Sequence, residues 1–269
     1  MPIQPTSGAP KLVHAAMGAQ ILQANVRLGT DIFYLSPIPV MGSMPARGGV
    51  PVMFPQFADR GPLPKHGMAR VMPWKLTRET ASNEAHHVTY ELKIAPGQFA
   101  GWPHAAHLSL QAGASQDGLR LKLQITNTGT SKYFWTGGLH PYFAVTNLQA
   151  CTITGLKGVA VQDRYDSALK VQPDNPAGWG WQPYERLYDT CPPLTLFNGT
   201  QQLTLRATGF DQWMVWNPGR AGGENLVDLP AGDWQRFVCI EPTCVSRPVA
   251  LAPDAGFTGT VRINLASDF

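Results

Sequence analysis

Residues 118–127 read GLRLKLQITN, and this stretch decides the fold class. Apolar residues occupy every second position, and arginine, lysine, glutamine and threonine stand between them. The apolar set is Leu119, Leu121, Leu123 and Ile125. Because successive side chains of a strand point to opposite faces, the alternation predicts a strand with one face on a core and one face in polar surroundings. Such strands are typical of antiparallel sheets.

Further runs with similar alternation lie on both sides of this stretch, and Gly, Asn, Asp or Ser separates them. They are 72–80, 86–94, 104–115, 132–145, 150–158, 159–166, 194–200, 201–209, 211–219, 234–243, 247–256 and 257–265. The run IFYLS at 32–36 is β-branched and aromatic, and it predicts a buried strand. No segment keeps a 3.6-residue period, and one helical turn is expected within 225–234. The pattern predicts an all-β chain with very little helix, built as a large antiparallel sandwich or barrel.

The organisation of the chain predicts one domain. Residues 1–10 form an expected loose tail, and residues 11–269 contain no linker-like break, no fixed-period repeat and no low-complexity tract. The 269 residues are 43% apolar and 14% charged, which indicates a buried interior. A net charge of +3 without a lysine or arginine run argues against a nucleic-acid partner.

The four cysteines and the apolar runs bear on the compartment. The cysteines form no CxxC pair, which argues against a structural zinc site, and a disulfide framework would be unusual in so large a domain. No secretory signal and no window of 18 uncharged apolar residues is present. We therefore expect a cytoplasmic protein that is reduced, does not associate with membranes and is monomeric.

The segment from Arg47 to Arg70, RGGVPVMFPQFADRGPLPKHGMAR, combines glycines and prolines with cationic or titratable side chains. Glycine and proline prevent a long helix or an uninterrupted central strand. A long irregular loop in a compact domain is commonly a binding or catalytic segment, and its positive groups favour an anionic small ligand. The alternative is a solvated, proline-rich surface loop.

Two other stretches could carry proton-transfer groups. His140 follows two glycines and precedes a proline, which predicts a strand end that reaches a cleft. Histidine is the natural proton donor or acceptor near neutral pH, although a lone histidine is often a surface or core residue. Glu241 is predicted to close an apolar strand, FVCIEP. A carboxylate there is either paired structurally or has a function, and a raised pKa would suit a general base.

Other polar groups favour structural interpretations. YERLY at 184–188 is typical of a solvated turn with an ion pair, and His86 with His87 is expected at the surface. Asp211 and the WNP stretch at 216–218 end another strand and are ambiguous. No phosphate-binding Gly-Lys-Ser/Thr loop, GxSxG elbow or HExxH helix is present, which argues against nucleotide hydrolysis, serine hydrolase and zinc-protease chemistry.

Taken together, five ordered stretches resemble the aldose 1-epimerase (mutarotase) superfamily, and most closely its hexose-6-phosphate branch. They are DIFYLSP, RGGVPVMFPQF with LPKHGMAR, LHPYFAV, the region from GLKG to YERLY, and WNP with FVCIEP. The resemblance covers most of the chain. It implies a galactose-mutarotase-like β-supersandwich that interconverts the α and β anomers of a sugar.

The resemblance also implies roles for individual residues. Glu241 takes the base position and removes the proton of the anomeric hydroxyl, while His140, as imidazolium, protonates the ring oxygen. The ring opens, rotates about C1–C2 and closes on the other face, and no metal, nucleotide or covalent intermediate is needed. The substrate-binding positions fall on a separate set: Arg47, Lys65, His66, Arg70 and Glu185.

Two of these positions depart from the family pattern. Lys65 stands where close relatives often carry glutamine, and Glu185 stands where the motif has an aspartate that binds sugar hydroxyls. The arginines suit a phosphate dianion, which favours a hexose 6-phosphate substrate and predicts that Arg47→Ala weakens it more than a free sugar. The alternatives are a mutarotase of free aldoses and a non-catalytic carbohydrate-binding module on the same fold.

Overall fold

The computed structural model describes residues 8–26, 31–39, 44–173 and 179–265. Within them the chain forms strands β1 Lys11–His14, β2 Ile21–Asn25, β3 Val52–Met53, β4 Lys75–Ala81, β5 Ala85–Ile94, β6 Ala106–Ser115, β7 Gly118–Asn127, β8 Tyr133–Leu139, β9 Tyr142–Ala144, β10 Thr152–Thr154, β11 Val161–Asp163, β12 Tyr184–Tyr188, β13 Leu194–Phe197, β14 Gln202–Thr208, β15 Gln212–Asn217, β16 Phe237–Leu251 and β17 Gly256–Leu265. The expected all-β class is confirmed.

Helical structure is confined to short segments in the described part of the chain. They are α1 at Gly219–Glu224 and 3₁₀ helices at Ala69–Val71, Leu148–Ala150 and Asp233–Arg236. The turn expected within 225–234 overlaps only the start of the last of these. No described helix has the length and apolar character needed to cross a membrane.

One large sheet has eight strands in the order β10-β13-β14-β17-β7-β6-β5-β4. All neighbours are antiparallel, and β5, β6 and β7 pair over ten residues each. The alternation at 118–127 has the predicted result, because Leu119, Leu121, Leu123 and Ile125 are each at most 2% exposed. The opposite face of β7 carries Arg120 in solvent.

The second large sheet has the order β11-β12-β15-β16-β8-β3, and β9 also pairs with β16. The 15-residue strand β16 therefore contacts β15 on one side and β8 and β9 on the other. The inner faces of the two sheets meet through aromatic contacts such as Trp135 on β8 with Phe257 on β17, whose ring centroids are 4.9 Å apart. This sandwich core fixes β16 and the β8–β9 corner that carry the site.

Two expectations about local structure were wrong. The IFYLS run is largely buried but forms only single bridges, Phe33 with Phe143 and Leu35 with Gly48, and the chain bends at 32, 37 and 38. YERLY is strand β12 rather than a solvated turn, since it pairs with both β11 and β15. The expected loose tail, residues 1–10, lies outside the described residues except for 8–10, which have no regular structure.

His86 is buried rather than at the surface, because it ties three strands together. Its Nδ1 accepts a hydrogen bond from the backbone N–H of Leu12 at 3.0 Å, and its Nε2 lies 3.1 Å from Glu79 Oε1. His14 on β1 reaches the same carboxylate oxygen at 3.3 Å and Tyr90 Oη at 2.6 Å. These contacts attach the small β1–β2 sheet to strands β4 and β5.

Candidate active site

One cleft brings together all seven residues that the sequence singles out. Four come from the 47–70 loop, His140 follows β8 directly, Glu185 lies on β12 and Glu241 lies on β16. The lining consists of Arg47, Phe57, Ala58, Asp59, Lys65, His66, Arg70, His140, Tyr142, Arg164, Glu185, Met214, Trp216, Leu226 and Glu241. Residues more than 190 positions apart in the chain therefore face one small space.

The 47–70 loop is an ordered part of the lining of this cleft and not a solvated surface loop. Its two ends, 50–57 and 66–69, are buried, and only the middle is exposed. The side chain of Gln56 fastens the middle, because its Nε2 donates to the carbonyl of Leu63 at 2.9 Å and its Oε1 accepts from the N–H of Leu63 at 2.9 Å. The loop therefore presents its cationic groups on a fixed backbone.

Glu241 lies in the interior of β16 and does not close the strand as the sequence suggested. It is 1% exposed, and its Oε2 has no hydrogen-bond partner among the described residues. Burial raises the pKa of Glu241 well above its usual value, nearby Glu185 raises it further, and Lys65 acts in the opposite direction. A carboxyl group in such surroundings can hold or release a proton near neutral pH.

His140 completes a close titratable pair with Glu241. His140 Nε2 and Glu241 Oε1 are 3.4 Å apart, and the histidine is 6% exposed. Burial is the main cause that lowers the pKa of His140 well below its usual value, and the nearby His66, Arg70 and Arg47 lower it further. The pair is thus arranged to exchange one proton between a carboxyl group and an imidazole.

The two glycines before His140 are part of β8, and His140 follows the end of this strand as the sequence predicted. Gly137 and Gly138 have φ angles of 142° and 150°. A Cβ on Gly137 would lie 2.1 Å from the carbonyl oxygen of Met53, and one on Gly138 would lie 2.1 Å from that of Pro242. Only glycine permits this close approach of β3, β8 and β16, which places His140 beside Glu241.

The cations of the cleft differ in their partners. Arg47 donates from Nε and Nη2 to the two carboxylate oxygens of Asp228, at 3.1 and 3.0 Å. Arg70 has no ion pair within the described residues, and its buried Nε has no hydrogen-bond partner there. Lys65 is exposed at the cleft rim. An anion in the cleft would find Arg70 uncommitted and Arg47 already held.

His66 is held in one tautomer. Its backbone is left-handed, with φ 65°, and its Nδ1 accepts from the N–H of Ala58 at 3.2 Å. Burial and the neighbouring charges of Arg70, Lys65 and Arg47 lower the pKa of His66 to about 3. The ring is therefore neutral near pH 7 and carries its proton on Nε2, which makes it a hydrogen-bond donor.

Glu185 is also committed in part. Arg164 Nη1 donates to its two carboxylate oxygens at 3.2 and 3.1 Å. Each oxygen keeps a lone pair for a hydroxyl group of a ligand. Sequence reasoning missed Arg164 as a cleft residue, because the DRY stretch at 163–165 has no chemical signal of its own.

Three further residues at the cleft were not predicted individually from the sequence. Tyr142 belongs to LHPYF, and its ring stacks on His140 at 4.8 Å with an interplanar angle of 12°. The ring of Trp216 is nearly perpendicular to that of His140, with centroids 5.9 Å apart. Asp228, the partner of Arg47, lies 181 positions away, and no spacing rule relates the two.

Two groups of potential metal ligands occur in the described part of the chain. His140, Cys239 and Glu241 place one donor atom each within 4.8 Å of the others, as do His14, Glu79 and His86. In the second group the backbone N–H of Leu12 donates to His86 Nδ1, so Nε2 of the neutral ring carries the proton and cannot bind a metal in this arrangement. The four cysteines are free thiols.

Comparison with known proteins identifies the family. The family model for aldose 1-epimerase matches residues 8–264. The chain belongs to the aldose 1-epimerase family. The relatives of this epimerase-family chain include a protein of Cenchrus ciliaris, 23% identical over 92% of this chain and 79% of its own length, and one of Escherichia coli K12, 27% identical over 88% and 80%. Both carry the name "Putative glucose-6-phosphate 1-epimerase".

Solved structures confirm the fold of the family member. A crystal structure titled as a "putative mutarotase (YeaD)" from Salmonella typhimurium aligns with a TM-score of 0.82 at 23% identity, and covers 96% of this chain and 88% of its own. The structure of HI1317 aligns with a TM-score of 0.75 at 18% identity, over 96% and 90%. The galactose-mutarotase-like sandwich expected from the sequence is therefore confirmed.

Proposed function

We propose that the protein interconverts the α and β anomers of a hexose 6-phosphate, with glucose 6-phosphate as the first candidate. The observation that carries the proposal is the buried pair of His140 and Glu241, 3.4 Å apart, in a cleft that also holds an unpaired Arg70. The names of the relatives from Cenchrus ciliaris and Escherichia coli support the phosphorylated substrate.

Ring opening needs one group that removes the proton of the anomeric hydroxyl and one that protonates the ring oxygen. Glu241 serves as the base and His140 as the acid, and their roles reverse when the ring closes on the other face. Each positioned proton-transfer group contributes about 10²–10⁴-fold. The reaction already occurs in water, so these two groups supply most of the catalysis that is needed.

The charge state of His140 depends on the substrate. In the protein alone, burial and the surrounding cations favour a neutral imidazole, which differs from the imidazolium expected from the sequence. A bound phosphate dianion offsets the positive charge of Arg70 and Arg47. The proton held by the carboxyl group can then pass to His140 across the 3.4 Å gap, which produces the carboxylate base and the imidazolium acid together.

The rest of the cleft supplies substrate contacts. Arg70 and the rim residue Lys65 bind the phosphate group, and two N–H groups of Arg47 have no partner among the described residues. The neutral His66 donates from Nε2, and Glu185 accepts from sugar hydroxyls. The longer side chain of Glu185 affects which hexose fits.

Anomer exchange measured by NMR with matched glucose and glucose 6-phosphate tests the proposal. We expect the protein to accelerate exchange of the phosphate ester, and Glu241→Gln to abolish the effect with the fold intact. The exposed Glu84→Gln is the matched control and keeps full activity. Exchange at the buffer rate would refute the enzyme hypothesis and leave a binding module, and equal acceleration of both sugars would favour a mutarotase of free aldoses.

A further inference from the structure

His140 lacks the hydrogen bond that ordinarily orients a histidine in a catalytic site. A catalytic or metal-bound imidazole usually fixes its ring by a bond from the second nitrogen to a carboxylate or a carbonyl. Here the Nδ1 of His140 is buried and has no hydrogen-bond partner among the described residues. Another contact must therefore set the direction in which Nε2 points.

The face of Tyr142 is that contact. The rings of Tyr142 and His140 are nearly parallel, with centroids 4.8 Å apart, while the rings of His66 and Trp216 are nearly perpendicular to the imidazole, with centroids at 5.3 and 5.9 Å. The ring of Phe237 also packs against Tyr142, with ring centroids 5.1 Å apart. A stacked neighbour restricts rotation of the imidazole about the Cβ–Cγ bond.

Tyr142 is itself held at both ends. Its backbone N–H donates to the carbonyl of Gly49 at 2.9 Å, and its carbonyl accepts from the N–H of Tyr34 at 2.8 Å. Its hydroxyl oxygen accepts from Arg47 Nη1 at 3.0 Å. Burial is the main cause that raises the pKa of Tyr142, so the hydroxyl stays protonated and acts as the acceptor for Arg47.

Arg47 in turn is locked by Asp228 through the two bonds of its Nε and Nη2 fork. The side-chain exposures are 23% for Arg47 and 39% for Asp228, so the ion pair lies at the wall of the cleft and not in open solvent. The chain of contacts runs from Asp228 through Arg47 and Tyr142 to the imidazole of His140.

From these contacts we infer that Tyr142 is the positioning residue for His140, and that Asp228 and Arg47 hold Tyr142 in place. This inference rests on the proposed function, in which His140 is the acid. It also changes the expectation for Arg47→Ala. Because Arg47 acts through the hydroxyl group of Tyr142, its loss lowers kcat for phosphorylated and free sugars alike, by no more than Tyr142→Phe does, and does not act chiefly on the affinity for the phosphate group.

Two substitutions at one position separate the ring from the hydroxyl group. Tyr142→Phe keeps the stacked face, and we expect kcat to stay within about fivefold of the wild type. Tyr142→Leu removes the face, and we expect kcat to fall at least about tenfold with KM nearly unchanged, since positioned proton transfer is worth about 10²–10⁴-fold. Asp228→Asn loosens the contact of the hydroxyl group with Arg47, so its loss should not exceed that of Tyr142→Phe, and Tyr142→Met serves if Tyr142→Leu does not fold.

A second measurement does not depend on activity. A stacked aromatic ring shifts the NMR signals of the His140 ring protons, which are assigned by their absence in His140→Gln. We expect the shift to persist in Tyr142→Phe and to disappear in Tyr142→Leu. If wild-type protein fails to accelerate anomer exchange, the proposed function is wrong, and the NMR signal alone decides the orientation of His140.

Two outcomes would overturn the inference. The first is a Tyr142→Leu protein that keeps both kcat and the shifted His140 signal, because the stack would then orient nothing. The second is a Tyr142→Phe protein that loses as much kcat as Tyr142→Leu while the His140 signal is unchanged, because the hydroxyl group would then act and not the ring.

Discussion

Replacing Arg70 with alanine removes a partly buried cation whose Nε has no hydrogen-bond partner in the described structure. An arginine fork makes two charge-assisted hydrogen bonds to a phosphate group, each worth about 1.5–3 kcal/mol. The lower limit of about 3 kcal/mol corresponds to about a 10²-fold fall in kcat/KM for glucose 6-phosphate. Free glucose lacks the phosphate group, and its kcat/KM should change by less than about threefold.

Exchange NMR with both sugars measures the two values on the same protein sample. Arg206→Ala is the matched control, since Arg206 is an exposed arginine of β14 on the other large sheet that does not line the cleft, and it should leave both values unchanged. Arg70→Lys keeps the charge without the fork and should recover part of the loss. An equal loss of activity toward glucose and glucose 6-phosphate in Arg70→Ala would refute the assignment of Arg70 to the phosphate group.

The same substitution has an expected effect on stability. Burial lowers the pKa of Arg70, which means that the folded protein disfavours its charge. Because no described carboxylate pairs with it, Arg70→Ala should not lower the thermal midpoint and can raise it. A clear drop in the midpoint would show that the side chain contributes packing that the ion-pair argument leaves out.

Three further predictions concern other parts of the structure. The folded-state pKa of Glu241 lies above its unfolded value of about 4.5, so ionisation of the carboxyl group opposes folding as the pH rises. The free energy of unfolding of Glu241→Gln should therefore increase relative to that of the wild type above pH 4.5. A difference between the two proteins that does not change with pH in denaturant titrations would contradict this. Zn²⁺ should inhibit anomer exchange by binding His140, Cys239 and Glu241, and a chelator should reverse the inhibition. Cys239→Ala should weaken the inhibition, whereas equal inhibition of the wild type and Cys239→Ala would exclude the thiol as a ligand. His86→Ala leaves the buried N–H of Leu12 without an acceptor and should cost about 1–3 kcal/mol of unfolding free energy, whereas a change under about 0.5 kcal/mol would show that water replaces the ring.

The fold class followed from the sequence because strand patterning is local. The alternation at 118–127 needs no knowledge of its neighbours, and its four apolar residues are buried as predicted. The YERLY strand could not be predicted, because Glu185 faces the cleft and Arg186 forms an ion pair with Asp163, so the alternation of a half-buried strand is lost. His86 was misassigned because its burial depends on a tertiary contact: the N–H that donates to its ring belongs to Leu12, 74 residues away.

The residues around the cleft illustrate a different limit. The resemblance to the family named seven of them, and all seven line one cleft. Their partners could not be predicted: the bond of Arg47 to Asp228 spans 181 positions, and the pKa shifts of His140 and Glu241 arise from burial that only the folded chain creates. Charge states, and therefore the direction of proton transfer, depend on tertiary structure.

The most direct test compares anomer exchange of glucose 6-phosphate and glucose by the wild-type protein at pH 7. If Glu241 and His140 transfer protons to a sugar that Arg70 holds by its phosphate group, kcat/KM for glucose 6-phosphate will exceed that for glucose by about 10²-fold or more. Exchange of glucose 6-phosphate at the rate found in buffer alone would contradict the proposed catalysis, and equal values for the two sugars would contradict the phosphate specificity.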